Sequence, residues 1–313
     1  TSRVGSRFKE RGYTVHSNDY NRYAYELARV YVGIDANAAL IGEATDLLDH
    51  LGSVSPHRGW FTENYAMNGR FFQEKNASKI EAIRTEIQDL CLPPDLESIA
   101  LVSLMEAADR VDSTCGIQMA FVKKWSKRSY KDLSLRLPSM NPGKGYASCD
   151  NTNSWVLENH VDLAYIDPPY NQHSYLGNYH IWETLCKWDD PEVYGIAQKR
   201  IECRERKSDY NSKVRCLAAF SSLIKDTQSK VIAVSFSKDA FLSRRDVMGV
   251  MGSRGVVSVL EKPHPKYIGS KIGVYSPSGS LVGSPGSSET TELLYIVATE
   301  LATKEQVNAV RGL

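Results

Sequence analysis

Apolar and polar positions follow two different rhythms along this chain. Near the start, a helical pattern over 3–11 is stopped by Gly12. A short apolar run over 13–17 then ends on Asn18 and Asp19, and a second helical pattern covers 20–32. Strand and helix signals in this order predict a mostly parallel sheet within an α/β fold. From 37 to 125 the rhythm is helical. Ile80, Ile83, Ile87 and Leu90 are spaced to share one helix face, Pro93-Pro94 breaks that helix, and another is expected over 96–111. Residues 126–150 turn polar and irregular, with Pro138, Pro142, Gly143 and Gly145. The strand pattern returns at 161–166, a near-continuous apolar run of the kind expected for a strand buried on both faces. It recurs at 231–236, 256–260 and 292–297, and the Gly-, Ser- and Pro-rich stretch over 269–288 reads as a hairpin or mobile loop. The pattern therefore divides into a core made of 1–36 and 146–313, interrupted by a mainly helical insertion over 37–145.

Composition supports that division. A chain of 313 residues exceeds the roughly 100–200 of an ordinary domain, as a core with an inserted lobe should. With 42% hydrophobic and 24% charged residues, a disordered chain is excluded. No uncharged apolar run reaches the ~20 residues of a membrane helix, and residues 1–15 lack the apolar centre of a signal peptide. Six cysteines without a CxxC pair fit reduced thiols in a cytoplasmic protein and argue against a zinc site. Lys and Arg number 38 against 37 Asp and Glu, so the whole-chain balance leaves no nucleic-acid footprint, and any such contact has to come from local patches.

The residues that carry chemistry are Asp167-Pro168-Pro169-Tyr170, directly after the 161–166 run. In open α/β sheets ligands bind beyond the carboxyl ends of strands. The nitrogen lone pair of an amine on a nucleobase is conjugated into the ring and is a poor nucleophile. Two acceptors aimed at its two N–H groups draw it towards tetrahedral geometry and free that pair. The Asp167 carboxylate supplies one acceptor and the Pro168 carbonyl the other. Neither proline has an N–H to compete, and both stiffen the loop. Tyr170 offers a face for stacking a base, worth about 1–3 kcal/mol. A base inside a duplex reaches such a pocket only when flipped out.

The strand and its motif resemble motif IV of amino-methyltransferases that use S-adenosylmethionine, and the chain more closely resembles the DNA adenine methylase family. FFQEKNASKIEAIR (71–84), ADRVDSTCGIQMAFVKKW (108–125) and DPPYNQHSYLGNYHIWETL (167–185) carry the likeness, in that order along the chain. The resemblance implies a Rossmann-like α/β methyltransferase sheet, S-adenosylmethionine as cofactor, and double-stranded DNA as substrate. It also implies methylation of adenine N6 in a specific site, within a restriction-modification system that pairs the methylase with a restriction endonuclease. In the family's first motif a Gly-rich turn cradles the methionine end of the cofactor. Thr1, Ser2 and Gly5 are similar to the tail of that turn. Asp19 matches the acidic residue that binds the ribose, Tyr20 the side chain flanking the cofactor's adenine, and Asp150 the residue near the adenine amine, while Asp167 faces both substrates. The same likeness makes the strand before residue 1 central, flanked by those ending at Asp19 and Asp167. Residues 1–313 alone are then expected to leave two strand edges unpaired and to bind cofactor poorly.

Contacts to DNA are expected from basic clusters: Lys123, Lys124 and Arg128 around Trp125, and Lys266 and Lys271 near the Gly/Ser-rich stretch. A further cluster over 200–215 is diluted by Glu202, Glu205 and Asp209. The helical insertion is the candidate target-recognition region. Among the histidines, which lack metal-ligand spacing, His180 is singled out because it follows the motif. The residues leave the acceptor open among adenine N6, cytosine N4, an adenine in RNA and a glutamine side chain, and a silent DNA-binding or subunit-interaction protein is the alternative of another class.

Overall fold

Helix stripes and strand faces have to bury their apolar sides, and in the computed structural model they do so in two separate cores. The structure describes residues 2–119, 124–265, 274–275, 281–283 and 289–313. In chain order, the first elements are α1 (Arg3–Glu10), β1 (Val15–Asn18), α2 (Arg22–Ala28), α3 (Ala38–Ser53), α4 (Trp60–Thr62), α5 (Glu74–Asp89), α6 (Pro94–Asp109) and β2 (Gly145–Ser148). Next come α7 (Thr152–Glu158), β3 (Val161–Ile166), α8 (Tyr175–Asn178), α9 (His180–Lys187), β4 (Val193–Tyr194), β5 (Lys199–Arg200) and α10 (Glu202–Glu205). The last are α11 (Cys216–Asp226), β6 (Ser229–Ser237), α12 (Arg244–Gly252), β7 (Gly255–Pro265), β8 (Val274–Tyr275), β9 (Leu281–Gly283), β10 (Glu289–Thr299) and α13 (Lys304–Arg311). Two compact units result: residues 1–151 with 176–205, and residues 152–175 with 206–313.

In the first unit β1 and β2 pair in parallel, from Val15 opposite Gly145 to Asn18 opposite Ser148. Helix α1 lies so close to them that a Cβ on Gly5 would stand 2.9 Å from Val32 Cγ2 and 3.4 Å from Val15 Cγ1. The helical segment forms its own core, with Phe61, Tyr65, Phe71 and Phe72 against Ile80, Ile83 and Ile87 of α5. The expected α5 face is therefore buried, apart from Leu90, which lies just past the helix end and is exposed. Pro94 opens α6, where its missing N–H leaves no bond unmade. The start of α4 is satisfied by Glu81 of α5. Its carboxylate accepts from Gly59 N at 2.7 Å, Phe61 N and Thr62 N at 2.9 Å, and the Thr62 hydroxyl.

In the second unit four strands lie in the order β3-β6-β10-β7. Strand β3 is parallel to β6, whereas β10 runs antiparallel to both β6 and β7. The sheet is thus mixed rather than mostly parallel, because β10 enters between β6 and β7 in the opposite sense. One face packs Ile232, Val234, Tyr295 and Val297 under Phe220 and Ile224 of α11 and Val247 and Met251 of α12. The 161–166 run forms its strand but is not buried on both faces: Leu163 is 42% and Tyr165 39% exposed. The reason is position, since among the described residues β3 ends the sheet and pairs with β6 alone. Strands β1 and β3 each have one strand neighbour among the described residues. Of the 269–288 stretch, β8 and β9 pair antiparallel, and the rest lies outside the described residues.

Replacing Glu81 with Ala strands three buried or half-buried backbone donors at once. Stability to urea is expected to fall by about 3 kcal/mol, with the slope of the transition unchanged.

Candidate active site

Parallel pairing brings the carboxyl ends of β1 and β2 side by side, and Asn18 ties them together. Its Oδ1 accepts from Asp150 N at 3.0 Å and from Ser148 Oγ at 2.9 Å, and its Nδ2 donates to Asp150 O at 3.0 Å. The turn that carries Asp150 is thereby fixed beside Asp19, whose N–H donates to Ser148 O at 3.3 Å. The Asp19 carboxylate accepts from Asn21 N at 2.8 Å and Asn21 Nδ2 at 3.0 Å. Both bonds fall on Oδ1, and no hydrogen bond from a described residue falls on Oδ2. Burial pushes the Asp19 carboxyl above its usual range, the Asn21 bonds oppose that, and the charge of Glu183 adds to it. Glu183 is itself fully buried and accepts from Tyr23 N at 3.1 Å, at the start of α2. Tyr20 is exposed next to Asp19. Ser2 precedes α1 in a left-handed conformation, Gly5 is taken up by the close packing of α1, and Thr1 lies outside the described residues.

In the second unit the chain leaves β3 at Asp167. Its residue is exposed, Pro168 is buried, and Pro169 and Tyr170 are half-buried. Tyr170 packs on the apolar core, and its carbonyl accepts from Phe241 N at 2.8 Å, beyond the end of β6. Asn211 Nδ2 donates to Asn171 O at 2.7 Å and to His173 O at 3.2 Å, while Asn171 Oδ1 accepts from His173 N at 2.9 Å. The Tyr210 hydroxyl next to Asn211 is held by Asn153 Oδ1 at 2.9 Å and Ala219 O at 3.3 Å. The loop after the motif is therefore fastened at several backbone points. Burial and the charge of Asp167 raise the Tyr165 hydroxyl above its ordinary pKa, against a bond to Ser235. The pair of acceptors expected from Asp167 and Pro168 thus sits on a stiff, partly solvent-facing loop at a strand's carboxyl end.

The basic residues separate into different situations. Arg128 is occupied within its own unit: it pairs with Asp112 and donates to Asp112 O at 3.0 Å and Thr114 O at 3.2 Å. Lys124 is exposed, and Lys123, Lys266 and Lys271 lie outside the described residues. Among the described residues no cluster of His, Cys, Asp or Glu could hold a metal, and all six cysteines are free. No helix of the described residues is long and apolar enough to cross a membrane. Sequence reasoning missed Asn18, Asn21, Asn211 and Glu183. Each acts on a neighbour through folding, and no local motif marks it.

His180 is a structural residue. It is fully buried between Tyr65 and Phe71, and its Nε2 bonds the Gln118 carbonyl at 3.0 Å. The Gln118 side chain in turn caps Ile181 N at 2.7 Å. Burial pulls the imidazole pKa down to about 3.

The model of D12 class N6 adenine-specific DNA methyltransferases matches residues 1–239. The type II methyltransferase M.NlaIII of Neisseria lactamica is 28% identical over 281 residues, 87% of this chain and 82% of that protein. The type II methyltransferase M.FokI of Planomicrobium okeanokoites is 30% identical over 288 residues, 85% of this chain and 44% of that protein. The modification methylase StsI of Streptococcus sanguinis is 29% identical over 286 residues, 85% and 43% respectively. The chain thus spans less than half the length of the last two. No solved structure matches.

The depressed pKa of His180 has a sign in stability. The unfolded chain takes up the proton near 6.5 and the folded chain holds out to about 3. Stability therefore falls as pH drops from about 6.5 towards 3. Calorimetric unfolding across that window should show the slope, and His180→Gln should make it shallower by one proton.

Proposed function

The chain belongs to the D12 class of N6 adenine-specific DNA methyltransferases, and from that premise we propose that it methylates adenine N6 within a specific sequence of double-stranded DNA, with S-adenosylmethionine as donor and Asp167 and Pro168 as the groups that engage the amine. The observation that carries the reading is the fastened Asp167-Pro168-Pro169-Tyr170 loop at the carboxyl end of β3.

The target adenine leaves the duplex, at a few kcal/mol for unstacking and unpairing. Tyr170 gives the base a face to lie on. The Asp167 carboxylate and the Pro168 carbonyl each accept one N–H of the amine, which raises the availability of the nitrogen lone pair. S-adenosylmethionine, when bound, supplies an electrophilic methyl carbon. The methylated nitrogen is a much stronger acid than a neutral amine, and it gives its extra proton to Asp167 or to water. No separate base is needed.

The donor set at the end of β1 and β2 suits the cofactor. No described residue donates to the second Asp19 carboxylate oxygen, which suits it to a ribose hydroxyl, as in dinucleotide folds. Tyr20 and the clamped Asp150 would hold the adenine end, and Thr1, Ser2 and Gly5 the methionine end. Within the helical residues 37–145 we assign target recognition, with Lys123 and Lys124 as its basic residues and Lys266 and Lys271 as further phosphate contacts, whereas Arg128 is held by Asp112 inside its own unit. The setting that fits is the cytoplasm, where the chain would protect DNA from a partner restriction endonuclease.

Asp167→Ala is expected to lower methyl transfer to DNA by at least ~10³-fold while the cofactor dissociation constant moves by no more than about twofold. Asp19→Ala should do the reverse first, weakening cofactor binding about tenfold by calorimetry. Tritiated methyl transfer to unmethylated duplex, followed by nucleoside analysis, reads the product. Undiminished N6-methyladenine from the Asp167 variant would overturn the assignment.

A further inference from the structure

A base that swings out of a duplex leaves a gap in the stack, and an apolar side chain that enters the gap keeps the base out. Such a side chain has to stand in solvent without DNA, on a rigid support next to the catalytic loop, with cations beside it for the phosphates. Val214 meets these conditions. It is 90% exposed, the most exposed large apolar side chain among the described residues. Leu217, on the first turn of α11, is 42% exposed and extends the apolar surface.

The support is built into the motif's own unit. Asn211, three residues before Val214, donates to the carbonyl of Asn171, the residue directly after Tyr170. Val214 therefore lies within about 11 Å of a side chain that is fastened to the catalytic loop. The segment itself is closed by Arg215 N and Cys216 N donating to Ser212 O at 3.1 and 2.9 Å, and Cys216 is buried beneath it. The two neighbours of Val214 are exposed cations. Lys213 makes no ion pair with a described residue. Arg215 meets Asp209 at 2.9 Å with both side chains more than half exposed, a pair that contributes little and leaves the guanidinium available to a phosphate. An exposed valine between two cations suits a polyanion with an apolar interior, which a base stack is.

We propose that Val214 is the wedge that occupies the stack vacated by the target adenine, with Lys213 on the adjoining phosphate. This rests on the reading that the adenine is flipped towards Asp167. Val214 is a positioning residue: it touches neither the amine nor the donor.

The test uses the full chain and a duplex carrying the sequence it methylates, read from plasmid DNA that the chain has modified. On the paired duplex, Val214→Ala should lose about tenfold in kcat/KM, and on a duplex with an abasic nucleotide opposite the target the loss should shrink to about twofold, because that base is already loose. With 2-aminopurine in place of the target adenine, the fluorescence rise on binding should fall for Val214→Ala and survive for Val214→Ile. Lys213→Ala should reduce the salt slope of binding by about one. Thermal melting should not move, since the side chain is exposed. A Val214→Ala enzyme equal to the parent on the paired duplex, or one that loses equally on both duplexes, overturns the wedge. A parent inactive on both duplexes overturns the wedge together with the reading beneath it, whereas the variant-to-parent ratio judges the wedge alone.

Discussion

Two parallel strand pairings, β1 with β2 and β3 with β6, decide where the candidate carboxylates stand. In a parallel pair both strands end on the same side, so the residues that follow them leave the ladder together and their polar groups need new partners. At β1 and β2 those partners are the Asn18 amide and the Asn21 donors, which set Asp150 and Asp19 in place. At β3 and β6 they include the Phe241 N–H, which holds the Tyr170 carbonyl. The candidate site residues stand where the regular backbone stops and side chains take over its bonding.

The helical part of the first unit shows how much polar satisfaction a buried scaffold requires. Glu81 answers the open donors of one helix start, and Gln118 caps another while its carbonyl holds His180. Arg200, almost fully buried, is bidentate to Asp189 at 2.6 and 2.7 Å and bonds Thr184 as well. Arg128 is consumed in the same way by Asp112. Charge in a sequence is therefore a poor guide to charge on a surface. Arg128 and Arg200, each in a basic stretch of the sequence, serve as internal struts, whereas Lys213 and Arg215 in the same kind of stretch are exposed.

The elements were legible because their signals are local. Spacing marked the α5 face, Pro93-Pro94 marked the break between α5 and α6, and the 161–166 run marked β3 with the motif at its end. The burial of β3 was misjudged for a physical reason: an apolar run records what a strand tolerates, and its exposure depends on how many neighbours pair with it. The mixed sheet was hidden likewise, since the direction in which β10 enters between β6 and β7 is a matter of topology.

By itself the sequence determined the candidate chemistry. An acceptor, two prolines without N–H and an aromatic face follow one another in four residues, and their order survives any packing. It also determined Asp19 as a strand-end carboxylate, whereas the strand before Asp150 lies in a stretch that reads as polar and irregular. Only the tertiary structure decided that Asn18 joins Asp150 to the end of β1, that His180 is a neutral core residue, and that Asn211 fastens the loop after Asp167-Pro168-Pro169-Tyr170. These are contacts between residues far apart in the chain, set by which surfaces come together when apolar area is buried. No spacing rule along the sequence records them.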